Sequence, residues 1–444
     1  MCVGQCRRKY LRLMKFNMYQ VITLLVRVLK LISRITIYQL IWTTVCFVIL
    51  FLILSWQSVT EEIVVQNTGC PVIVWWKSGF PGTKETRHCS NGARCVVVSS
   101  ANHTDINNVN AFLFYASNIN FNDLPLPRRP KDVIWGLYHE ESPRNVEELM
   151  HEEALRLFNF SSTFSRHSNV PFPLQYLSSK MDITTKDYFV PTAQKNEYLK
   201  EIAPVMYLQT DCETSTERDD YVKEIMKYIK VDSYGQCVNN KVMPEEFKND
   251  YLNNLNEDKF LKFIARYKFV IAIENGVCDD YITEKFWRPI KVGTVPVYFG
   301  SPSVRDWFPN EKSAILLEDF PAPKFMADYL IRLTNNDTLY EEYLEHKTKE
   351  VITNQRLIEE LRMREYQLDT LKIVVQFECF ICDKIHSAKE DNLVMSSVVN
   401  QSHYSCPKPI SALTLDVNPS NFWVQSWERA KARAEAIYRK VMAT

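Results

Sequence analysis

The sequence predicts an α/β protein: two doubly wound domains in succession, facing a cleft, behind one N-terminal membrane-spanning helix. Three observations carry that prediction. Short apolar runs that do not alternate with polar residues recur in two series, each interleaved with helical patterns, as buried parallel strands do. Residues 35–56 contain no charge and are dense in Ile, Leu, Val, Phe and Trp. The 444 residues are 46% hydrophobic and 24% charged, an ordinary globular balance and chain enough for two domains. A disordered or collagen-like protein is thereby excluded. No two of the ten glycines stand in G-x-G spacing, so neither a dinucleotide fingerprint nor a P-loop is present.

The anchor comes first in the chain. Its 22 uncharged residues, at 1.5 Å rise each, span a bilayer core. A secretory signal peptide has a shorter apolar core and a small-residue cleavage site, and this stretch has neither. Eight basic residues precede it (Arg7, Arg8, Lys9, Arg12, Lys15, Arg27, Lys30 and Arg34), and no acidic residue occurs before Glu61. The positive-inside rule therefore places residues 1–34 in the cytoplasm and everything after residue 56 in a lumen. Residues 21–34, apolar but interrupted by Arg27, Lys30 and Arg34, read as a basic amphipathic helix on the membrane surface. Taking those eight from the 53 Lys and Arg leaves 45 against 53 Asp and Glu, a net of −8 that argues against a nucleic-acid partner. Nine of the 12 cysteines follow the anchor, an odd number that leaves at least one unpaired in a monomer. N-x-[ST] tripeptides begin at Asn102, Asn159, Asn336 and Asn400, all luminal on this reading.

Residues 57–69 form a short stem. Strands are expected at 71–76, 95–99, 111–115 and 133–138, then in a second series at 205–209, 267–273, 295–299 and 314–317. Helical patterns intervene at 218–228, 281–288 and 339–363, and the two series join near the polar segment 193–203. Asn418, Pro419 and Ser420 open a last charged helix over 421–442. Ligands of such folds sit at the carboxyl ends of the strands, in the crevice between domains.

Chemistry concentrates in residues 267–308. A buried strand ends there in Glu274 and Asn275, a loop crosses 276–280, and a helix starts near Tyr281. A loop entering a helix N-terminus seats a phosphate well, through free N–H groups and the helix dipole. Lys285, one turn in, supplies a point charge to a diphosphate oxygen, and Glu284 accepts hydrogen bonds from sugar or ribose hydroxyls. Glu284 and Arg288, spaced i,i+4, equally fit a surface ion pair, and spacing alone decides neither.

This stretch resembles the signature of the α-1,3-fucosyltransferase family, an E-N…D-Y-[IV]-T-E-K run followed by a V-P-V strand and a G-[SP] turn. The resemblance extends over roughly residues 70–385. It implies a GT-B architecture: a Rossmann-like acceptor-side domain over 70–198, a Rossmann-like domain holding GDP-fucose over 199–350, and helices with a disulfide-rich tail over 351–444. It also implies inversion at the anomeric carbon and no required metal. In keeping with the last point, no D-x-D pair is placed to hold a metal–diphosphate, and no H-E-x-x-H run occurs.

Further matches run residue by residue. Thr210 and Asp211 stand at the strand end that in the family lies beside the nucleotide. Arg218 matches the arginine that clamps the diphosphate, a role its planar fork suits; an ion pair with Glu217 or Asp219 is the alternative. Asn275, Tyr281, Glu284 and Lys285 complete the donor-binding set. In the first domain Glu141 matches the E-S-P segment that carries the catalytic base, with Glu140 and His139 as rivals. Residues 159–168 resemble another family element, with Arg166 at its arginine. In the implied mechanism Arg218 and Lys285 offset charge growing on the departing β-phosphate, and Glu141 takes the proton of the attacking hydroxyl. Desolvation and repulsion from Glu140 are expected to raise the Glu141 pKa.

Departures from the family pattern are equally informative. Gly276 stands where the family has serine, and Pro289 falls inside the helix, where it is expected to end or kink it. The runs 139–143, 211–237 and 377–382 resemble a divergent branch, described as protein O-fucosyltransferases of the endoplasmic reticulum acting on small cysteine-rich EMI domains. That branch implies a single-pass type II protein of that membrane with a protein acceptor. The alternatives are transfer to GlcNAc of an N-glycan or lactosamine in the Golgi, and a non-catalytic anchored binder of cysteine-rich domains. In the family a C-x-x-C pair is stapled to cysteines near the domain start, which makes Cys89 and Cys95 partners for Cys379 and Cys382. Cys212 with Cys237 forms a third expected bridge, and Cys70, Cys278 and Cys406 are left unassigned.

Overall fold

The structure, a computed structural model, describes residues 22–25, 27, 42, 44–51, 69–77, 85–102, 105–129, 132–248, 255, 257–388 and 396–443. The chain divides into two units, Met1–Cys70 and Pro71–Thr444. In the first, residues 44–51 are helical with exposed side chains, and among the described residues no helix is long and apolar enough to cross a membrane. Most of the predicted span 35–56, of the surface helix 21–34 and of the stem 57–69 lies outside the described residues.

Pro71–Thr444 contains both expected sheets. The first comprises β1 (Val72–Trp75), β2 (Glu85–His88), β3 (Arg94–Ser99), β4 (Ala111–Tyr115), β5 (Ile134–His139) and β6 (Phe160–Thr163), in the order β2-β3-β1-β4-β5-β6. Every pairing is parallel except that of β2 with β3. The second sheet holds β7 (Val205–Gln209), β8 (Val231–Gly235), β9 (Phe269–Ile273), β10 (Val295–Phe299) and β11 (Ile315–Leu316), all parallel, in the order β11-β10-β9-β7-β8. Helix α1 (Arg218–Ile225) follows β7, and α2 (Glu284–Val292) follows β9. From β7 the chain steps outward to β8, whereas β9, β10 and β11 build the other way. The β7/β9 boundary is thus a switch point, where a crevice opens at the carboxyl ends of the strands.

The apolar runs became strands because their side chains are buried on both faces. Three strands escape that reading. β2 carries alternating charged residues at a sheet edge, and β6 and β8 contain buried polar groups. In β6 these are satisfied: Ser162 Oγ donates to Val170 O at 2.8 Å and Thr163 Oγ1 to His403 O at 2.9 Å. Helix α2 starts three residues later than expected, at the cap set by Thr283, whose Oγ1 accepts the Lys285 N–H. It also runs on past Pro289 to Val292. Proline forfeits one bond close to the helix end, while buried Phe286, Trp287 and Ile290 and the left-handed Gly293 (φ 72°) hold the final turn. The expected helical stretch 339–363 is divided, into Asp337–Glu341, Glu345–Thr348 and Gln355–Met363.

Two late helices tie the halves together. Helix α3 (Thr370–Ser387) is stapled to the first sheet by Cys89–Cys379 and Cys95–Cys382, and Cys212–Cys237 closes the loop ends after β7 and β8. The cysteines the sequence left open resolve as Cys278–Cys406, with Cys70 free. Helix α4 (Phe422–Met442) is capped by Asn421, whose Nδ2 donates to Ser215 O at 3.0 Å in the second half. Its body lies on the first half, where Trp427 packs against His151. One glycosylation expectation fails: the Asn159 amide is buried and donates or accepts bonds to Arg128, Trp135 and Ser397. No glycan can reach it in the folded protein.

The strongest link between the sheets is Arg166 with Asp280. Arg166, past the end of β6, donates to the Asp280 carboxylate from its backbone N (2.9 Å), Nε (2.9 Å) and Nη2 (2.5 Å). Trp307 Nε1 adds a bond of 2.8 Å and Ser303 Oγ one of 2.9 Å. Burial pushes the Asp280 carboxyl up, but Arg166 and Trp307 outweigh it and hold it below the usual carboxylate range. A depressed carboxyl stabilises the fold above its unfolded pKa, and that contribution is lost as pH falls through the folded one. Asp280→Asn is therefore expected to cost about 3 kcal/mol in urea unfolding at neutral pH, with the difference from wild type shrinking in acid. Equal stability at neutral pH would show that the link is dispensable.

Candidate active site

At the carboxyl end of β9, Glu274 is fully buried. Its Oε1 accepts the Thr283 N–H and its Oε2 the Thr283 hydroxyl, both at 2.8 Å. One carboxylate thus joins the strand end to the start of α2 and sets where Glu284 and Lys285 project. Lys285 Nζ lies 3.2 Å from Thr283 Oγ1, 3.3 Å from Glu284 Oε1 and 3.6 Å from Glu274 Oε2. Burial raises the Glu274 carboxyl, and the Lys285 charge only partly offsets that. At Glu284 the balance reverses: desolvation is outweighed by Lys285 and Arg288, and the carboxyl is held down to about 2. Its interaction with Arg288 and its place at the site therefore coexist.

Arg218 opens α1 and is entirely buried. Nη1 donates to Ile273 O at 3.2 Å and Asn275 Oδ1 at 2.5 Å, and Nη2 donates to Asp211 O. These partners belong to the ends of β7 and β9, so the guanidinium spans the switch point, and neither Glu217 nor Asp219 holds it. Its Nε–H is buried without a hydrogen-bond partner among the described residues. An orphaned donor on a buried cation is a functional pointer. Asp211 Oδ2 lies 3.9 Å from Arg218 Nη2 and accepts Arg144 Nη2 at 2.8 Å; Thr210 stands beside it, half-buried.

The first half supplies Glu141, in the turn after β5. The turn abuts the 274–283 loop: a Cβ on Gly276 would lie 3.3 Å from Ser142 Oγ and 3.5 Å from Ser215 Oγ. Burial raises the Glu141 carboxyl, Lys285 and Arg144 work against it, and Glu284 adds repulsion. The net direction is upward. The repelling neighbour is therefore Glu284, across the cleft, rather than the expected Glu140. His139 is fully buried, with Nδ1 2.8 Å from the Tyr404 hydroxyl, and desolvation pushes its imidazole down to about 3. Glu140 Oε1 accepts the Tyr115 hydroxyl at 2.6 Å. Of the three candidates for the base, Glu141 is the one whose charge couples to Lys285 and Glu284.

Tyr281 packs against Phe164, and burial together with Glu274, Tyr176, Glu141 and Glu284 drives its hydroxyl pKa far up. All eight residues singled out in the sequence thus converge on one place. Arg144 and Tyr176 were missed. Arg144 stood in the run after Glu141 and was readable as a second cation there. Tyr176, a lone tyrosine in a loop, carried no signal. Clefts flank the site: one of about 650 Å³ beside the Cys212–Cys237 bridge and Trp423, and one of about 270 Å³ beside Tyr176 and Glu284. Among the described residues two trios have metal-ligand spacing, Cys95–Cys382–His386 and Cys212–Asp219–Cys237. Both rely on disulfide-bonded cysteines, which offer no thiolate.

Known proteins match this chain along most of its length. Residues 53–175 match the family described as "Fucosyltransferase, N-terminal", and residues 198–401 that described as "Glycosyltransferase family 10 (fucosyltransferase) C-term". The human protein named GDP-fucose protein O-fucosyltransferase 3 is 41% identical over 380 residues, covering 83% of this chain and 78% of its own. Drosophila melanogaster Alpha-(1,3)-fucosyltransferase B is 40% identical over 348 residues, covering 77% of each chain. A crystal structure of an α1,3-fucosyltransferase with GDP covers 69% of this chain and 93% of its own at 15% identity, with a TM-score of 0.41, a likeness on which no argument is built.

The strut role of Glu274 is open to a direct check. A Cβ at position 300 would meet Glu274 Cγ at 2.5 Å and Cβ at 2.8 Å. Gly300→Ala must therefore push Glu274 off Thr283, and a loss of roughly 3 kcal/mol is expected in chemical denaturation. Wild-type stability in that variant would mean the strut can move freely.

Proposed function

The chain belongs to glycosyltransferase family 10, the fucosyltransferases, and from that premise we propose that it moves fucose from GDP-fucose to a Ser or Thr hydroxyl of small disulfide-rich, EMI-type domains of secreted proteins. The observation that carries the chemistry is the placement of Arg218 and Lys285 on either side of the β9 strand end, with Glu141 facing Lys285 from the other sheet. The protein acceptor is supported by the names of relatives at about 40% identity. The EMI class rests on the sequence resemblance.

The acceptor oxygen attacks C1 of fucose while the bond from C1 to the β-phosphate oxygen breaks, and its electron pair leaves with GDP. Negative charge grows on the diphosphate, where Arg218 offers a planar fork and Lys285 a point charge; in a dry site such fixed cations contribute most. The acceptor hydroxyl does not ionise unaided near neutral pH, so its proton passes to Glu141 as the new bond forms. A carboxyl held above its ordinary range by burial is better matched to that task. Thr210, Asp211, Asn275 and Tyr281 shape the donor seat, and Glu284, ionised at working pH, accepts from sugar hydroxyls. The cleft beside Asp211 and Trp423 has room for the nucleoside. No step is routed through a metal.

The same reading places the enzyme in the endoplasmic reticulum membrane as a single-pass type II protein. The charge asymmetry about residues 35–56 and the four disulfides, which suit an oxidising compartment, support that placement. A second reading, transfer to a glycan hydroxyl in the Golgi, is favoured by the name of the fly relative.

Incubating the purified enzyme with GDP-fucose and a folded EMI domain should add one deoxyhexose mass, while lactosamine should compete poorly. Glu141→Gln should reduce transfer by at least about 100-fold and leave GDP affinity by calorimetry unchanged. Because the Glu141 carboxylate must be ionised and its pKa is raised from 4.5, the rate should fall with acid at a pH above that value. Arg218→Ala should weaken both GDP binding and turnover. Full activity in the Gln variant would remove Glu141 from the mechanism.

A further inference from the structure

The cleft of about 270 Å³ opens on the base, and it is lined by residues given no role so far: Gln175, Tyr176, Trp287, Arg288, Lys291 and Leu368. Its mouth is tied to the site three times over. Gln175 Nε2 donates to Glu140 O at 3.0 Å. The Tyr176 hydroxyl faces Glu284, Glu141 and Glu274, and Glu284 itself forms part of the wall. The groove runs along the α2 face bearing Glu284, Arg288 and Lys291, on the opposite side of Lys285 from Arg218 and its Asp211 partner.

A second observation marks the groove as a binding surface. The Trp287 indole is 1% exposed, yet its Nε1–H, in the groove wall, has no hydrogen-bond partner among the described residues. Buried donors are almost always satisfied, so an orphan beside a cleft points to a ligand oxygen. The rim is apolar: Tyr176 and Leu368 are each 38% exposed, and Met363 and Leu371 extend the patch outward. A surface of exposed apolar side chains around a buried donor suits a folded polypeptide better than a carbohydrate alone.

We propose that this groove is the acceptor subsite: a loop of the acceptor protein seats an apolar side chain between Tyr176 and Leu368 and a backbone carbonyl on the Trp287 N–H, delivering its hydroxyl to Glu141. The proposal rests on the protein-acceptor reading above and on in-line displacement, which brings the hydroxyl to C1 from the face opposite the departing diphosphate. The nucleotide then occupies the Arg218 side, and the acceptor enters past Tyr176.

Initial rates with a folded EMI domain at saturating GDP-fucose, alongside GDP-fucose hydrolysis without acceptor, test this in two variants. Trp287→Phe removes only the N–H and should raise the acceptor KM about fivefold, the worth of one neutral hydrogen bond, with the GDP-fucose KM and hydrolysis unchanged. A purely structural tryptophan would lose nothing, since that donor has no partner to forfeit. Leu368→Asp, at an exposed position, should raise the acceptor KM at least as much. Unchanged acceptor KM in both variants overturns the groove assignment while leaving the reaction intact. A raised GDP-fucose KM gives the groove to the donor and overturns it equally. A wild-type enzyme that hydrolyses GDP-fucose but fucosylates only lactosamine overturns the acceptor reading itself, and this subsite with it.

Discussion

Asp280 is the residue on which the site's geometry depends. It sits in the left-handed region at φ 61°, uncommon for a residue with a side chain, and its carboxylate collects Arg166, Trp307 and Ser303. Its backbone N–H is bound in turn by the hydroxyls of Ser301 and Ser303. The bend fixes the loop between Asn275 and Thr283, while Arg166 joins that loop to the first sheet. Two neighbours reinforce the connection: Cys278 is bonded to Cys406, and Asp279 N donates to Ser405 O at 3.2 Å. The loop that positions Lys285 is therefore held from the same half that supplies Glu141. A separation of acid and cation across two sheets becomes a fixed distance.

Within that frame the electrostatics are set by scarcity of cations. Glu141, Glu274 and Glu284 share Lys285, with the Tyr176 and Tyr281 hydroxyls among them. Their carboxyls diverge by environment: Glu284, aided by Arg288, is held low, while Glu141 and Glu274 are pushed up by burial. Pairs of carboxyl groups driven apart in this way mark acid–base division of labour. A diphosphate arriving at Lys285 and Arg218 would meet donors already oriented by the carbonyls of Ile273 and Asp211.

Much of this was legible in the residues. Eight strands announced themselves because fully buried parallel strands leave unbroken apolar runs, and the last helix was found from Asn421, the residue that caps it. The three missed strands are those whose interiors are polar or at an edge, where hydroxyl and amide bonds replace apolar contact. Pro289 misled because the argument counted the lost hydrogen bond and not the buried face that outweighs it. At the site, the resemblance supplied Glu141, Arg218 and Lys285, and the geometry brought them together. Asp280 and Arg166 were not weighed as a pair, since 114 residues separate them and no local pattern joins them. Cys278 and Cys406 were unassigned for the same reason.

The most direct test of the account is an experimental structure of the enzyme with GDP bound. The account predicts β-phosphate oxygens within hydrogen-bond reach of both the Arg218 guanidinium and the Lys285 ammonium, with the Glu141 carboxylate facing them across the space for the sugar. A diphosphate seated away from either cation, or Glu141 turned out of that space, would contradict it.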